Sequence, residues 1–214
     1  MYQEEYFMSA QKFFSVHNLV LIAMLGALAF VLMFFEFPLP FLAPSFYELD
    51  FSEVPVLIGT FSMGPLAGVA IEALKILLKL LFKGTSTFYV GDFANFIIGC
   101  AFVLPAGILY RVRHTRKGAL LGMALGTLCM IVVGVITNAY LLLPWYANNL
   151  FGSMEPILAA GREIWGSIDS VLSFAFLIVA PFNLFKGIVV SLITFLLYKH
   201  VSRLINAFSH KNKA

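Results

Sequence analysis

Glu72 and Lys75 stand three residues apart inside an apolar run, and Asn183 and Lys186 repeat that spacing in another. On a helix, residues so spaced share a face. Charged and amide side chains are costly at membrane depth, so they face a cavity or a partner. Glu72 and Lys75 admit two readings: a pair that neutralises itself, or one polar wall of a ligand site. Asn183 and Lys186 have no carboxylate near them in sequence, and Pro181 and Gly187 flank them. A bend there would bare backbone groups beside both side chains, which favours a ligand role. Asn138 and Asn95 are further amides within apolar runs. They either face the same ligand or tie helices together by hydrogen bonds.

The segment from Glu36 to Phe51 contains Pro38, Pro40 and Pro44 among many aromatic rings, including Phe46 and Tyr47. It is too apolar for an ordinary solvated loop, and its prolines stiffen it. It reads either as a lid folded over a pocket or as an aromatic belt at the membrane surface. Catalysis finds little support. His17, His114, His200 and His210 lie at helix ends or in tails, and no Ser-His-Asp arrangement, HExxH or phosphate loop occurs. Cys100 and Cys129 sit in apolar runs without CxxC spacing and read as packing residues rather than a disulfide or metal pair.

The elements that must carry these groups follow from composition. Of 214 residues, 61% are apolar and 12% charged, about half the charge of a soluble domain. Most of this surface therefore faces hydrocarbon. The expected architecture is an all-α membrane protein, one domain over 1–214, with a bundle of six transmembrane helices at about 15–205. The apolar runs place spans at roughly 17–35, 54–63, 66–82, 93–110 and 119–143, with a sixth ending near 198. Gly64-Pro65 separates the second from the third. The stretch from Pro144 to Ser173 has no assigned role. Six spans leave no room for a soluble ATPase domain, and a net charge of +3, spread along the chain, gives no footing for nucleic acid.

Lys and Arg set the orientation. With the N-terminus in the cytoplasm, the inner side holds Lys12, Arg111, Arg113, Arg116, Lys117, Lys199, Arg203, Lys211 and Lys213. The outer loops hold only Lys83 and Arg162. Both termini are then cytoplasmic, and the aromatic segment after the first helix is extracellular. Met1 to Phe14 lacks a signal-peptide pattern, so the first apolar run is expected to be kept as a span. Small residues form two stripes, Ala23 with Ala27, and Gly118, Gly122 and Gly126. Such stripes let helices approach closely. For the alanine pair, contact with a partner subunit is the alternative to internal packing.

Several stretches together resemble a known family. They are Asp50-Phe51-Ser52-Glu53-Val54-Pro55, Gly64-Pro65-Leu66-Ala67-Gly68, Glu72-Ala73-Leu74-Lys75 and Gly91-Asp92-Phe93-Ala94-Asn95-Phe96. Asn138-Ala139-Tyr140 and Pro181-Phe182-Asn183-Leu184-Phe185-Lys186 extend the likeness. The chain is similar to the substrate-binding subunits of energy-coupling factor (ECF) transporters, most of all to their riboflavin-specific type. It departs from that pattern at Ile76, where the family has an amide, and in the length of 144–173.

The resemblance implies a six-helix subunit that captures a vitamin at the outer face. It also implies docking on a transmembrane scaffold subunit and two ATPase subunits, with Ala23 and Ala27 against the scaffold. No enzyme activity and no resident cofactor are implied; riboflavin or a close flavin is the transported ligand. A flavin edge offers acceptors at N1, O2, O4 and N5 and a donor at N3. Asn138, Asn183 and Lys186 could read that edge, since Asn both donates and accepts and Lys donates. Phe46 and Tyr47 could cover the flat face, and Asn95, Glu72 and Lys75 are further candidates. Another vitamin or flavin mononucleotide as ligand, a membrane-embedded enzyme using Glu72 or Asp92, and a self-sufficient transporter are the alternatives.

Overall fold

The computed structural model describes residues 15–211, with side chains as far as Leu197. The expectations for Met1 to Phe14, for both chain ends, and for the side chains of Lys12, Lys199, His200, Arg203, His210, Lys211 and Lys213 lie outside the described residues. Ser15 starts the first helix, α1 (Val16–Met33), by accepting the Asn18 amide hydrogen. A short hairpin follows, β1 (Phe37–Pro38) antiparallel to β2 (Glu48–Leu49), with Pro38 opposite Glu48. Next come α2 (Glu53–Met63), α3 (Pro65–Phe82), α4 (Val90–Val112) and α5 (Arg116–Thr137). A π-helical segment, Asn138–Leu142, joins α5 to α6 (Leu143–Asn149). Then follow α7 (Glu155–Arg162), α8 (Val171–Phe174), a second π-helical segment, Ala175–Val179, and α9 (Ala180–Lys211).

Among the described residues, four stretches are long and apolar enough to cross a membrane: Val16–Met33, Val90–Val112, Arg116–Asn149 and Val171–Leu197. The other two expected spans are helices of a different kind. Glu53–Met63 is apolar but only 11 residues long, about 17 Å at the usual rise. It is also the most enclosed helix, with every residue from Glu53 to Phe61 buried. Pro65–Phe82 carries Glu72, Lys75 and Lys79. Gly64 divides the two helices with a φ of 104°, a conformation suited to glycine, and Pro65 opens α3 where its missing amide hydrogen costs nothing.

The helices outrun the apolar runs that announced them. The fifth continues to Asn149 and the last runs to Lys211, rather than stopping near 143 and 198. Hydropathy marks where apolar side chains end, whereas backbone hydrogen bonding continues into polar sequence. Glycines bring α4 and α5 together: a Cβ on Gly126 would lie 2.3 Å from the Phe102 carbonyl oxygen.

Two apolar clusters form the core. One surrounds α2, where Val56, Leu57 and Phe61 meet Ile71 of α3, Phe102 of α4 and Met123 of α5. The other joins three parts of the chain. Leu39, Ala43 and Leu49 of the segment 36–51 pack with Ala139 and Leu143, and with Ile157, Ile168 and Phe174. The stretch 144–173, opaque in sequence, is thus a wall against which the segment 36–51 packs. Arg162 ties it together by donating to the Ile168 carbonyl and pairing with Glu155 at 2.8 Å. That guanidinium, by hydrogen bond and charge, holds the Glu155 carboxyl below its ordinary pKa.

Candidate ligand-binding site

A cavity of about 200 Å³ lies beneath the segment 36–51. From that segment it is lined by Glu36, Phe46, Tyr47, Glu48 and Asp50, and from the start of α2 by Glu53. Gly91, Asn95 and Gly99 of α4 form a second side. Asn138 and Tyr146 come from the α5–α6 helix, and Phe182, Asn183 and Lys186 from α9.

Asn138 opens one break in helical register and Asn183 lies four residues beyond another, and a proline follows each break. Pro144 has no amide hydrogen to give to the carbonyl four residues earlier, and neither has Pro181. The chain responds just before each proline with a one-residue shift. Leu143 donates to the Asn138 carbonyl and Ala180 to the Ala175 carbonyl, five residues back instead of four. Such π-bulges recur at functional sites. The two segments touch each other. Each amide then donates to the carbonyl four residues before it, Asn138 to Gly134 and Asn183 to Val179. One of the two donor hydrogens of each amide is used within its own helix. The Asn138 side-chain oxygen, Oδ1, accepts from the Tyr47 hydroxyl at 2.6 Å.

Tyr47 thereby hooks the segment 36–51 to the bundle. Its ring lies 5.0 Å from that of Phe46 and 5.6 Å from that of Phe182. Burial, then the neighbouring Tyr146, push its hydroxyl pKa far above the ordinary value, so the group stays a neutral donor. A second hook is ionic. Lys186 Nζ lies 2.8 Å from Asp50 Oδ2, with both side chains largely buried. Asp50 Oδ1 accepts the Ser52 amide hydrogen at 2.7 Å. Burial alone would raise the Asp50 pKa. The charges of Lys186 and Lys75, with the hydrogen bonds from Lys186 and Ser52, outweigh burial and hold it well below the carboxylate range. The sequence reading left Lys186 without a carboxylate; one stands 136 residues away in sequence.

Six of the candidate residues line this cavity: Asn95, Asn138, Asn183, Lys186, Phe46 and Tyr47. Glu72 and Lys75 lie behind its wall. Lys75 Nζ is 2.6 Å from Glu72 and 2.8 Å from Glu53, and all three side chains are within 2% of full burial. One ammonium thus serves two carboxylates, of which Glu53 reaches the cavity. Lys79 pairs with buried Asp92, and Lys83 with Glu36 at the lid. Ala23 and Ala27 lie on the exposed side of α1. Cys100 and Cys129 are free thiols.

Sequence reasoning missed Asp50, Glu53 and Tyr146 as lining residues. Asp50 and Glu53 stood in the motif that carried the family resemblance, and that was the signal available. Among the described residues, no group of three or more His, Cys, Asp or Glu is arranged to hold a metal ion.

The family model for the substrate-specific component of ECF transporters matches residues 17–198. The riboflavin transporter RibU of Staphylococcus aureus is 36% identical over 193 residues, 88% of this chain and 92% of that protein. The riboflavin transporter FmnP of Bacillus subtilis is 38% identical over 185 residues, 86% of this chain and 90% of that protein. A solved S component of a bacterial ECF transporter superposes with a TM-score of 0.68 at 38% identity. That superposition covers 88% of this chain and 96% of that one.

Proposed function

The chain belongs to the substrate-specific components of ECF transporters, and from that premise we propose that it binds riboflavin in the cavity under the lid. The family is one of transport components, not enzymes, and the chain is a multi-pass cell-membrane protein. The observation that carries the ligand reading is the convergence of Asn138, Asn183 and Lys186 on one cavity roofed by Phe46 and Tyr47. Relatives named as riboflavin transporters across most of the chain support it.

In this reading Asn138, Asn183 and Lys186 meet the acceptor-rich edge of the flavin, and Phe46 and Tyr47 stack on its face. Asn95 contributes from α4, whereas Glu72 and Lys75 act from behind the wall through Glu53. The cavity of about 200 Å³ is below the ~300–1,000 Å³ common for small-molecule sites. Admission of a three-ring ligand therefore requires the lid to lift. The Tyr47–Asn138 and Lys186–Asp50 links are the contacts that must open. All six major helices, short α2 and charged α3 included, belong to one membrane-embedded domain with cytoplasmic termini, and the lid faces outward. α2 and the charges of α3 need no lipid contact, because other helices enclose them.

The chain takes its energy from partners: a transmembrane scaffold and two ATPases. The exposed Ala23 and Ala27 offer the scaffold a close approach. The test is titration of the purified protein in detergent with riboflavin, followed by flavin fluorescence. Saturable quenching with one site per chain is expected. Absence of quenching, with tight binding of an unrelated vitamin, would reject the flavin.

A further inference from the structure

A second cavity, of about 460 Å³, opens at the other end of the bundle. It lies where α1 begins, where α2 gives way to α3, and where α4 ends. Asn18, Ser62, Gly64, Tyr110, Arg111 and His114 are among its lining residues. α4 joins the two cavities: Gly91 lines the first and Arg111 the second, about 30 Å apart at the usual helical rise. Charge divides the same way. The stretch from Arg111 to Lys117 carries Arg111, Arg113, His114, Arg116 and Lys117, all exposed. No Asp or Glu occurs between Asp92 and Glu155. Among the described residues, none of these arginines, nor Lys117, pairs with a carboxylate. The start of α3, at Pro65 and Leu66, also opens onto the cavity, and a helix start carries partial positive charge.

We infer that this second cavity seats the headgroup of an anionic phospholipid, with Arg111 as the residue that meets its phosphate. The inference is independent of the flavin reading and takes from the account above only that the chain spans a membrane. Charge complementarity argues for an anion. A guanidinium matches phosphate oxygens two at a time, and the start of α3 adds its own attraction for phosphate. The surroundings argue for a lipid rather than a soluble anion. Leu66 lines the cavity and is 66% exposed, and Val112, next to Arg111, is 75% exposed. In a bilayer those side chains face acyl chains. A polar pocket and an apolar apron thus adjoin, and one amphipathic molecule satisfies both. Inorganic phosphate leaves the apron unused. Basic residues near a membrane draw anionic lipid toward them in general. The cavity turns that diffuse attraction into a site by placing one guanidinium in its wall.

The experiment titrates short-chain phosphatidylglycerol and phosphatidylcholine into the purified full chain in neutral detergent, and native mass spectrometry counts the lipid retained. Phosphatidylglycerol should bind one site per chain at least about fivefold more tightly than phosphatidylcholine. Arg111→Gln should erase most of that preference. Lys117→Gln removes the same charge outside the cavity lining and should keep the preference within about twofold of wild type. Inorganic phosphate at the same concentration should displace little of the lipid. Equal binding of the two lipids overturns the inference. Equal losses in Arg111→Gln and Lys117→Gln also overturn it, since they leave only diffuse attraction. Inorganic phosphate that displaces the lipid makes the occupant a free anion and overturns the lipid. Absence of a lipid preference, with the ATPase partners lost on purification of Arg111→Gln, assigns this face to a partner protein and overturns it too.

Discussion

Replacing Lys186 by Met removes an ammonium from the carboxylate it faces while the lid is closed. Asp50 is 4% exposed and keeps only the Ser52 amide on Oδ1 once Oδ2 loses Lys186. Breaking a buried pair by deleting one partner costs about 3–5 kcal/mol, and the charge of Lys75 that still acts on Asp50 sets the lower end of that range. Lys186→Met should therefore lower stability by roughly that amount. The double variant Lys186→Met with Asp50→Asn removes both charges and should regain most of the loss, since exchanging a whole pair for neutral groups is often nearly neutral.

Acid sharpens the test. Asp50 has a folded pKa below its unfolded value. Its pair therefore stabilises fully above about pH 4 and loses that contribution as pH falls toward the folded pKa. In Lys186→Met the carboxyl takes up a proton more readily, so the gap to wild type should narrow as pH drops below about 5. The assay is thermal unfolding in detergent at several pH values for the wild type and both variants. Lys186→Met as stable as wild type at neutral pH, or a double variant less stable than the single, refutes the reasoning.

Tyr47→Phe keeps the ring and deletes the 2.6 Å bond to Asn138. One such bond contributes about 0.5–1.5 kcal/mol, so riboflavin dissociation, followed by stopped-flow fluorescence, should change by up to about tenfold. An unchanged rate means the hook does not hold the lid. Gly126→Val should destabilise by about 1–3 kcal/mol or more, because the new Cβ meets the Phe102 carbonyl; a melting curve reads it. Ala23→Leu and Ala27→Leu lie on an exposed face. They should keep riboflavin affinity while co-purification of the ATPase partners and uptake fall. Uptake equal to wild type in both variants removes the alanine stripe from the partner contact.

The parts of this fold legible in sequence were those written in local pattern. The runs at 17–35 and 93–110 became α1 and α4 because an unbroken apolar stretch has one stable form in lipid. Gly64-Pro65 announced the break between α2 and α3 for a purely local reason. Asn138, Asn183 and Lys186 were legible as candidates because polar groups in apolar runs stand out.

What sequence could not show was pairing at a distance. Lys186 appeared unpaired because Asp50 is separated from it by most of the chain. Glu72 and Lys75 showed their spacing but not Glu53, which turns a pair into a triad. The π-bulges are local in cause, since each precedes a proline, yet their consequence depends on the two segments meeting. The stretch 144–173 holds no apolar run of spanning length of its own. Its role arises only from packing on the lid.

The central claim is that riboflavin binds in the cavity that Asn138 and Asn183 both line. Riboflavin titration of the wild type beside the Asn138→Ala, Asn183→Ala double variant tests it most directly, each first shown to be folded. The account predicts saturable one-to-one quenching by the wild type. It predicts a loss of about 1–3 kcal/mol in the double variant, or roughly ten- to a hundredfold in affinity. A double variant that binds as tightly as the wild type, or a wild type that does not bind riboflavin, contradicts it.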